Sequence, residues 1–262
     1  MLKARVITAL YLLVGSLVVL YLLPVRAAGF VFAVVAALGA WEWAGLMKAG
    51  QKPRRLFAGV VLVTCLVSWT NPTASFPLLW SLAAIFWLCL VPVWLYRHWQ
   101  PGRWGYVVGL ILLVPTWAAL VTLHERSPTL LLAVMAVVWV ADIGAYFSGR
   151  AFGRRKLAPS ISPGKTWEGV GGALVGVVLY GMAMTLALPL LQGLDRLGLL
   201  IFLLLLTAFS VVGDLFESLI KRQAGMKDSS QLLPGHGGVL DRIDSLLSAL
   251  PLAALSLYWL EH

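Results

Sequence analysis

The chain has 262 residues, of which 60% are hydrophobic and only 12% are charged, and its mean hydropathy is +0.89. A soluble globular domain carries about twice that share of charged residues, so the composition excludes this class and indicates a polytopic membrane protein. The formal net charge of +9 is explained by basic residues that orient membrane helices and attract anionic lipid head groups. We therefore expect membrane lipids, and no nucleic acid, as partners.

Nine apolar runs approach the roughly 20 residues that a helix needs to cross a bilayer. None of them shows the alternation of a membrane β-barrel, so each run is predicted to be helical. The sequence predicts an all-α integral membrane protein with about nine transmembrane helices and two long cytoplasmic loops, 148–169 and 217–244. The runs cover about 6–23, 27–47, 56–70, 76–96, 104–123, 129–147, 170–191, 197–216 and 245–260.

The orientation follows from the distribution of basic residues between the loops. If the N-terminus is inside, 17 of the 20 Lys and Arg residues lie on inner segments. Only Arg26, Arg126 and Arg196 lie outside. Because Lys and Arg are enriched in short cytoplasmic loops, we expect the N-terminus and both long loops to face the cytoplasm. A multi-pass protein of the cell inner (plasma) membrane is predicted.

Acidic residues divide the chain into a scaffold, 1–128, and a catalytic region, 129–262. Carboxylates near lipid are costly and usually functional, and seven of the 11 acids lie in or beside the last four spans. Glu42, flanked by two tryptophans, is predicted to be an interfacial anchor, with a functional role as the alternative. The seven are Asp142, Glu168, Asp214, Glu217, Asp228, Asp241 and Asp244.

Two of these acids have specific expected partners. Asp214 lies just inside the membrane boundary, where an unpaired carboxylate is expensive, so it is predicted to face a metal ion or a cationic side chain. Glu217 and Lys221 are four residues apart and share one helix face, so Glu217 is predicted either to form a salt bridge there or, equally, to have a functional role.

The segment SISPGKTWEG, residues 160–169, is similar to a Walker A loop but has Pro159 where that motif requires glycine. What remains is a predicted Pro-Gly turn that presents Lys165 and Thr166 before a helix. Exposed N–H groups at a helix start, beside a lysine and a hydroxyl, suit a phosphate. A simple capping turn explains the same residues equally well.

The segment PGHGG, residues 234–238, has three glycines in five positions. Such a turn allows backbone amides to approach an anion, and His236 could hydrogen-bond a phosphate. Asp241 and Asp244 follow at a spacing of three residues, and their oxygens suit Mg²⁺. Together the two loops have the groups needed for phosphoryl or nucleotidyl transfer onto a lipid.

The polar residues of the second loop resemble the signature of the phosphatidate cytidylyltransferases, also called CDP-diacylglycerol synthases. The pattern is S-x-x-K-R-x-x-x-x-K-D followed by P-x-H-G-G-x-x-D-R-x-D, and the segment from Ala141 to Gly169 is similar to a second block of that family. The resemblance implies synthesis of CDP-diacylglycerol and pyrophosphate from CTP and phosphatidate, with Mg²⁺. The matching residues are Ser218, Lys221, Arg222, Lys227, Asp228, Pro234, His236, Gly237, Gly238, Asp241, Arg242 and Asp244.

The resemblance also implies roles for individual residues, with Thr166, Ser218 and Asp228 as further substrate contacts. Asp214, Asp241 and Asp244 are assigned to the metal. Lys165, Lys227, Arg242 and the turn around His236 are assigned to the CTP phosphates, and Lys221 and Arg222 to phosphatidate. Asp142 is assigned either to the metal or to one of these cations. A second cation and a homodimer are left open.

Two rival functions share some of these features. A polytopic transporter also has many spans and intramembrane acids, but transporter sites favour the midplane and broken helices, whereas these acids gather at one edge. A CTP-dependent lipid-alcohol kinase would use the same nucleotide and metal but would transfer the γ-phosphoryl group.

Overall fold

The computed structural model describes residues 2–187 and 195–261, and almost all of them are helical. A short antiparallel hairpin of two strands interrupts the helices. The last four residues of the predicted seventh span, 170–191, lie outside the described residues. The elements are α1 (Leu2–Leu22), α2 (Val25–Leu46), α3 (Gln51–Ser68), α4 (Pro72–Ile85), a π-helical turn (Phe86–Leu90), α5 (Val91–Arg97), a 3₁₀ turn (Gly102–Trp104), α6 (Gly105–Arg126), α7 (Pro128–Phe152), β1 (Lys156–Ala158), β2 (Ser162–Thr166), α8 (Trp167–Ala187), α9 (Arg196–Ala224) and α10 (Leu240–Glu261).

Seven helical segments of the described chain are long and apolar enough to cross a membrane, with α4 and α5 forming one of them, Pro72–Arg97. The all-α multi-pass prediction is confirmed. Helices lie at all nine predicted runs, but nine spans are not confirmed. The apolar part of α1 is short, Ile7–Leu22, and α3 begins with a basic segment.

The centre of the bundle is built around α9 and α10. Helix α10 packs against α9, α6 and α4, while α2 packs against α3 and α6. On α9, the ring of Phe216 contacts those of Trp43, Phe86, Trp87 and Trp94, with centroid distances of 5.6 to 6.4 Å. Aromatic pairs of this kind add about 0.5 to 1.5 kcal/mol each beyond the area that they bury. This cluster fixes α9 against the N-terminal helices.

Helices α7 and α8 approach closely through small residues. A Cβ atom on Gly144 would lie 2.7 Å from the carbonyl oxygen of Gly172, and one on Gly172 would overlap Ser148. In membranes such small residues allow backbones to meet where larger side chains would separate them. The contact places the β1–β2 hairpin and the end of α7 beside α9.

The two predicted loops are shorter than expected, which is a correction to 148–169 and 217–244. Helix α7 continues to Phe152, and α9 continues to Ala224. Gly225 ends α9 in the left-handed conformation, with φ +76° and backbone N–H bonds from residues 225 and 226 to the last helical turn. The predicted loop boundaries were based on hydropathy, which shows where a chain leaves the lipid but not where its helix ends. Helix α9 continues about two turns beyond the apolar span.

The first loop also folds differently from the predicted Pro-Gly turn. Residues 163 and 164 lie within β2, and the chain reverses at 159–161 instead. Strand β2 pairs with β1 with an irregular register, Lys156 opposite Thr166 and Ala158 opposite Ser162. The irregularity bends the hairpin, and β2 runs directly into α8. We call the end of the bundle that carries this hairpin and loop 225–239 the loop end.

Candidate active site

Asp241, at the start of α10, organises the loop 225–239. Its Oδ2 accepts hydrogen bonds from the Ser229 backbone N–H at 2.8 Å, the Ser229 hydroxyl at 2.9 Å and the Gly238 N–H at 2.7 Å. Its Oδ1 lies 2.7 Å from Nζ of Lys221 on α9. One carboxylate therefore ties both ends of the loop to the end of α9.

Lys221 is buried between two carboxylates. Besides Asp241, its Nζ lies 3.3 Å from Oε2 of Glu217, which is 1% exposed. The predicted salt bridge between Glu217 and Lys221 is confirmed. Because the ammonium group already has two carboxylate partners, the geometry favours this pairing over the contact with phosphatidate that the sequence indicated.

The glycine turn of PGHGG adopts the backbone conformation that its glycines allow. Gly235 and Gly237 have φ of +77° and +82°, a region that other residues rarely enter. The Leu233 N–H donates to the Gly237 carbonyl at 2.8 Å, and the His236 N–H donates to the Leu233 carbonyl at 2.9 Å. The predicted turn is confirmed. The Gly238 amide that follows it is bonded to Asp241, so it is not free for a substrate anion.

Glu42 is a site residue whose partners sequence reasoning missed. It comes from α2 and is completely buried. Its carboxylate accepts hydrogen bonds from Ser229, Ser230, Val239 and Leu240. The prediction of an interfacial anchor is wrong, because the side chain points into the protein at the loop end. The available signal was a carboxylate inside an otherwise apolar span, which is costly without polar partners.

A polar groove of about 740 Å³ lies between the loop and the start of α10. Its volume is in the range of small-molecule sites. Nδ1 of His236 is buried and has no hydrogen-bond partner among the described residues. The groove brings together five of the predicted site residues. It is lined by Lys227, Asp228, Gln231, Leu233, Pro234, Gly235, His236, Gly237 and Arg242.

Three carboxylates from three helices are close enough for their charges to interact. Asp142 of α7, Asp214 of α9 and Asp244 of α10 interact electrostatically. Lys165 of β2 forms an ion pair with Asp214, with Nζ 2.6 Å from Oδ2. The predicted cationic partner of Asp214 is thus present. Arg242, which lines the groove, also interacts with the charge of Asp142.

The donor chemistry of these carboxylates fits Mg²⁺. In the part of the chain that the structure describes, no three His, Cys, Asp or Glu side chains form a ready-made metal centre. Mg²⁺ is commonly held by one or two carboxylates together with substrate phosphates, so a complete protein cage is not required. Asp214 and Asp244 can supply such oxygens. Asp214 is oriented by the Ser218 hydroxyl, which donates to its Oδ1 at 3.2 Å.

The remaining predicted residues have local roles or lie apart. Thr166 is buried, and its hydroxyl accepts the Gly169 N–H at 3.1 Å, which caps α8 as the capping alternative predicts. Glu168 accepts the backbone N–H groups of Arg154 and Arg155 and so closes the hairpin. Arg222 is exposed near the end of α9, outside the groove.

Membrane-spanning helices, a cationic groove and a neighbouring group of carboxylates define a membrane protein equipped to handle a polyanionic ligand. The profile of the family described as "Cytidylyltransferase family" matches residues 3–260, so the chain belongs to this family. The resemblance found in the sequence is confirmed.

Three relatives that align over nearly the whole chain are each named "Phosphatidate cytidylyltransferase". A protein of Pseudomonas aeruginosa is 46% identical, with 99% of this chain and 97% of that protein covered. A protein of Haemophilus influenzae is 39% identical, with 96% of each covered. A protein of Brucella suis is 36% identical, with 97% of this chain and 92% of that protein covered.

Proposed function

We propose that the polar groove binds the triphosphate of CTP and that the adjoining carboxylates hold its Mg²⁺. The protein is a nucleotidyltransferase that transfers the cytidylyl group of CTP to phosphatidate, giving CDP-diacylglycerol and pyrophosphate; its family and its relatives named phosphatidate cytidylyltransferase carry this assignment. The observation that supports the location is the groove itself, which Lys227, His236 and Arg242 line together.

The reaction needs no strong base from the protein. A phosphate monoester has its second pKa near about 6, so phosphatidate already carries an anionic oxygen at neutral pH. That oxygen attacks the α-phosphorus of CTP, the bond from this phosphorus to the bridging oxygen of the β-phosphate breaks, and pyrophosphate leaves with the electron pair. The protein must reduce the repulsion between the two anions, align them and neutralise the leaving group.

The cationic side chains are assigned to these tasks by position. Lys227 and Arg242 line the groove and form no ion pair within the described part of the chain, so their charge is available to the CTP phosphates. His236, which also lines the groove, is assigned to the same phosphates. Lys165, which lies in the hairpin beside Asp214, is assigned to the CTP phosphates as well. Arg222, exposed at the end of α9, contacts the phosphatidate head group.

The carboxylates divide into two sets. Asp214 and Asp244 would hold Mg²⁺, with Asp142 as a further ligand or as the site of a second cation. The bound ion supplies positive charge that offsets the phosphates and the leaving pyrophosphate. Asp241 has donors on both oxygens, so it organises the loop, and ligation of the metal by Asp241 is the alternative.

An assay with two labels tests this function against the kinase alternative. Purified protein is incubated with phosphatidate, Mg²⁺ and CTP labelled either in the base or in the γ-phosphate. Base label should enter the organic phase, and γ-label should stay in water as pyrophosphate. Transfer of γ-label alone into lipid would instead indicate a CTP-dependent kinase, and no transfer of either label would contradict both.

The membrane and the orientation are proposals that rest on the sequence. The distribution of basic residues supports an inner-membrane protein whose loop end faces the cytoplasm. In a background without Cys65 and Cys89, single cysteines at the exposed positions Ser160 and Gln231 should react with impermeant thiol reagents only after the cytoplasmic side is opened. A cysteine at exposed Thr70 should react in sealed cells. The opposite pattern would reverse the topology.

A further inference from the structure

The carboxylate of Glu42 is buried at the loop end with four hydrogen-bond donors around it. Oε1 accepts the Ser230 hydroxyl at 2.6 Å and the Val239 N–H at 2.9 Å. Oε2 accepts the Leu240 N–H at 2.7 Å and the Ser229 hydroxyl at 3.2 Å. Each oxygen therefore has one backbone donor of its own. Oε1 also has the Ser230 hydroxyl, whereas Oε2 shares the single Ser229 hydroxyl proton with Asp241.

These donors lie at the two ends of one segment. Val239 and Leu240 form the N-terminus of α10, where backbone N–H groups have no partner within the helix and the helix dipole favours a negative charge. Ser229 and Ser230 precede the glycine turn. The segment between them supplies most of the wall of the groove. Glu42 thus joins both ends of that wall to helix α2.

The surroundings leave little freedom to this carboxylate. A Cβ on Gly238 would lie 2.5 Å from Oε1. No Lys or Arg of the described chain forms an ion pair with Glu42. Burial lowers the pKa of Arg54, and the negative charge of Glu42 opposes that shift, while the Arg54 guanidinium stacks on Trp41 at 3.5 Å from the ring centroid. Hydrogen bonds, more than charge pairing, hold the Glu42 side chain in place.

Ser229 connects Glu42 to the residues already assigned to the site. Its hydroxyl lies within hydrogen-bond distance of both Glu42 and Asp241, and Asp241 is paired with Lys221. We infer that Glu42 is a positioning residue, which sets the shape of the CTP groove from the N-terminal helices without touching the substrate. This inference rests on the proposed placement of CTP in that groove.

Glu42→Gln tests the inference with almost no change in volume. Each carboxylate oxygen accepts a backbone N–H. In either orientation of the glutamine amide, its NH₂ group would therefore face one of these N–H groups, and two donors would meet without an acceptor. Leaving a buried donor unpaired shifts the groove, so we expect the KM for CTP to rise about tenfold or more. The KM for phosphatidate should stay within about twofold, because the lipid binds elsewhere. Glu42→Asp, which keeps the charge and both acceptors, should recover part of the CTP affinity.

The controls separate this inference from the proposed function. Glu125→Gln makes the same chemical change at an exposed site on α6 and should leave both KM values unchanged. If wild-type protein gives no base-labelled lipid, the proposed function fails. If it does, and Glu42→Gln has a normal KM for CTP or raises both KM values equally, the positioning role is excluded. Should Glu42→Gln not fold, Ser230→Ala, which removes one hydroxyl donor, must still raise the KM for CTP selectively.

Discussion

Replacing Asp214 with asparagine should reduce turnover by on the order of 10²- to 10³-fold, the effect of losing one group that stabilises transition-state charge. The amide has the same shape but no charge, so it weakens the binding of Mg²⁺ and leaves Lys165 without the partner that it contacts at 2.6 Å. A loss of 10²-fold corresponds to about 2.7 kcal/mol of activation free energy. The Mg²⁺ concentration required for half-maximal rate should rise as well.

The measurement is the rate of base-label transfer as a function of Mg²⁺ at saturating CTP. Asp195→Asn is the matched control, because Asp195 caps the opposite end of the same helix and asparagine is an equally good capping residue. It should have wild-type kinetics. Near wild-type turnover of Asp214→Asn at limiting Mg²⁺ would remove Asp214 from the metal site.

Asp241→Asn provides the informative comparison with Asp214→Asn. The Asp241 carboxylate already accepts three bonds at Oδ2 and the Lys221 ammonium at Oδ1. The NH₂ group of an asparagine here would face one of these donors. The KM for CTP should therefore rise, while the Mg²⁺ concentration required for half-maximal rate stays unchanged. A raised Mg²⁺ requirement would support the metal role that the sequence resemblance implies for Asp241.

The helices were predictable from the sequence because lipid imposes a simple rule. A backbone in hydrocarbon must satisfy its own hydrogen bonds, so a long apolar run is a helix. That rule ends at the membrane surface. It gives no information on the continuation of α9 to Ala224, which depends on a left-handed Gly225, or on the β1–β2 hairpin, where Pro163 and Gly164 are typical of a turn but lie in a strand.

The sequence predicted several residues that share the groove, but not how the charged groups around it pair. Lys227, His236 and Arg242 share a groove, as the motif indicates. The hydrogen-bond partners of the carboxylates were not predictable in this way, because Glu42 and Ser229 are 187 residues apart in the sequence. Local sequence patterns describe neighbours at three or four positions, whereas contacts such as this one arise when α2 packs under the start of α10. A single sequence can indicate that a carboxylate in an apolar span needs polar partners, but it does not identify which residues supply them.

Gly237→Val should abolish cytidylyl transfer while leaving the protein folded. Gly237 has φ +82°, and a Cβ there would lie 2.7 Å from Oδ2 of Asp241. Any side chain at this position must displace the carboxylate that holds the Gly238 N–H and Ser229, and a β-branched residue is also strained in the left-handed region. The loss should therefore combine backbone strain with collapse of the groove. The measurement is base-label transfer, with monodispersity in detergent as the test of folding.

A matched substitution at a second glycine separates the steric contact with Asp241 from the backbone strain of the left-handed conformation. Gly225 has φ +76°, and a Cβ there would meet no neighbouring group of the described residues within 4 Å, so Gly225→Ala adds the left-handed strain alone, about 1 to 2 kcal/mol. Gly237→Ala adds the same strain and the contact with Asp241. If the groove depends on the position of that carboxylate, Gly237→Ala should lose most of its CTP affinity, whereas Gly225→Ala should keep it and unfold at a slightly lower temperature. Equal kinetics in the two alanine variants would show that the Asp241 contact does not control the groove, and the effect of valine would then be strain alone.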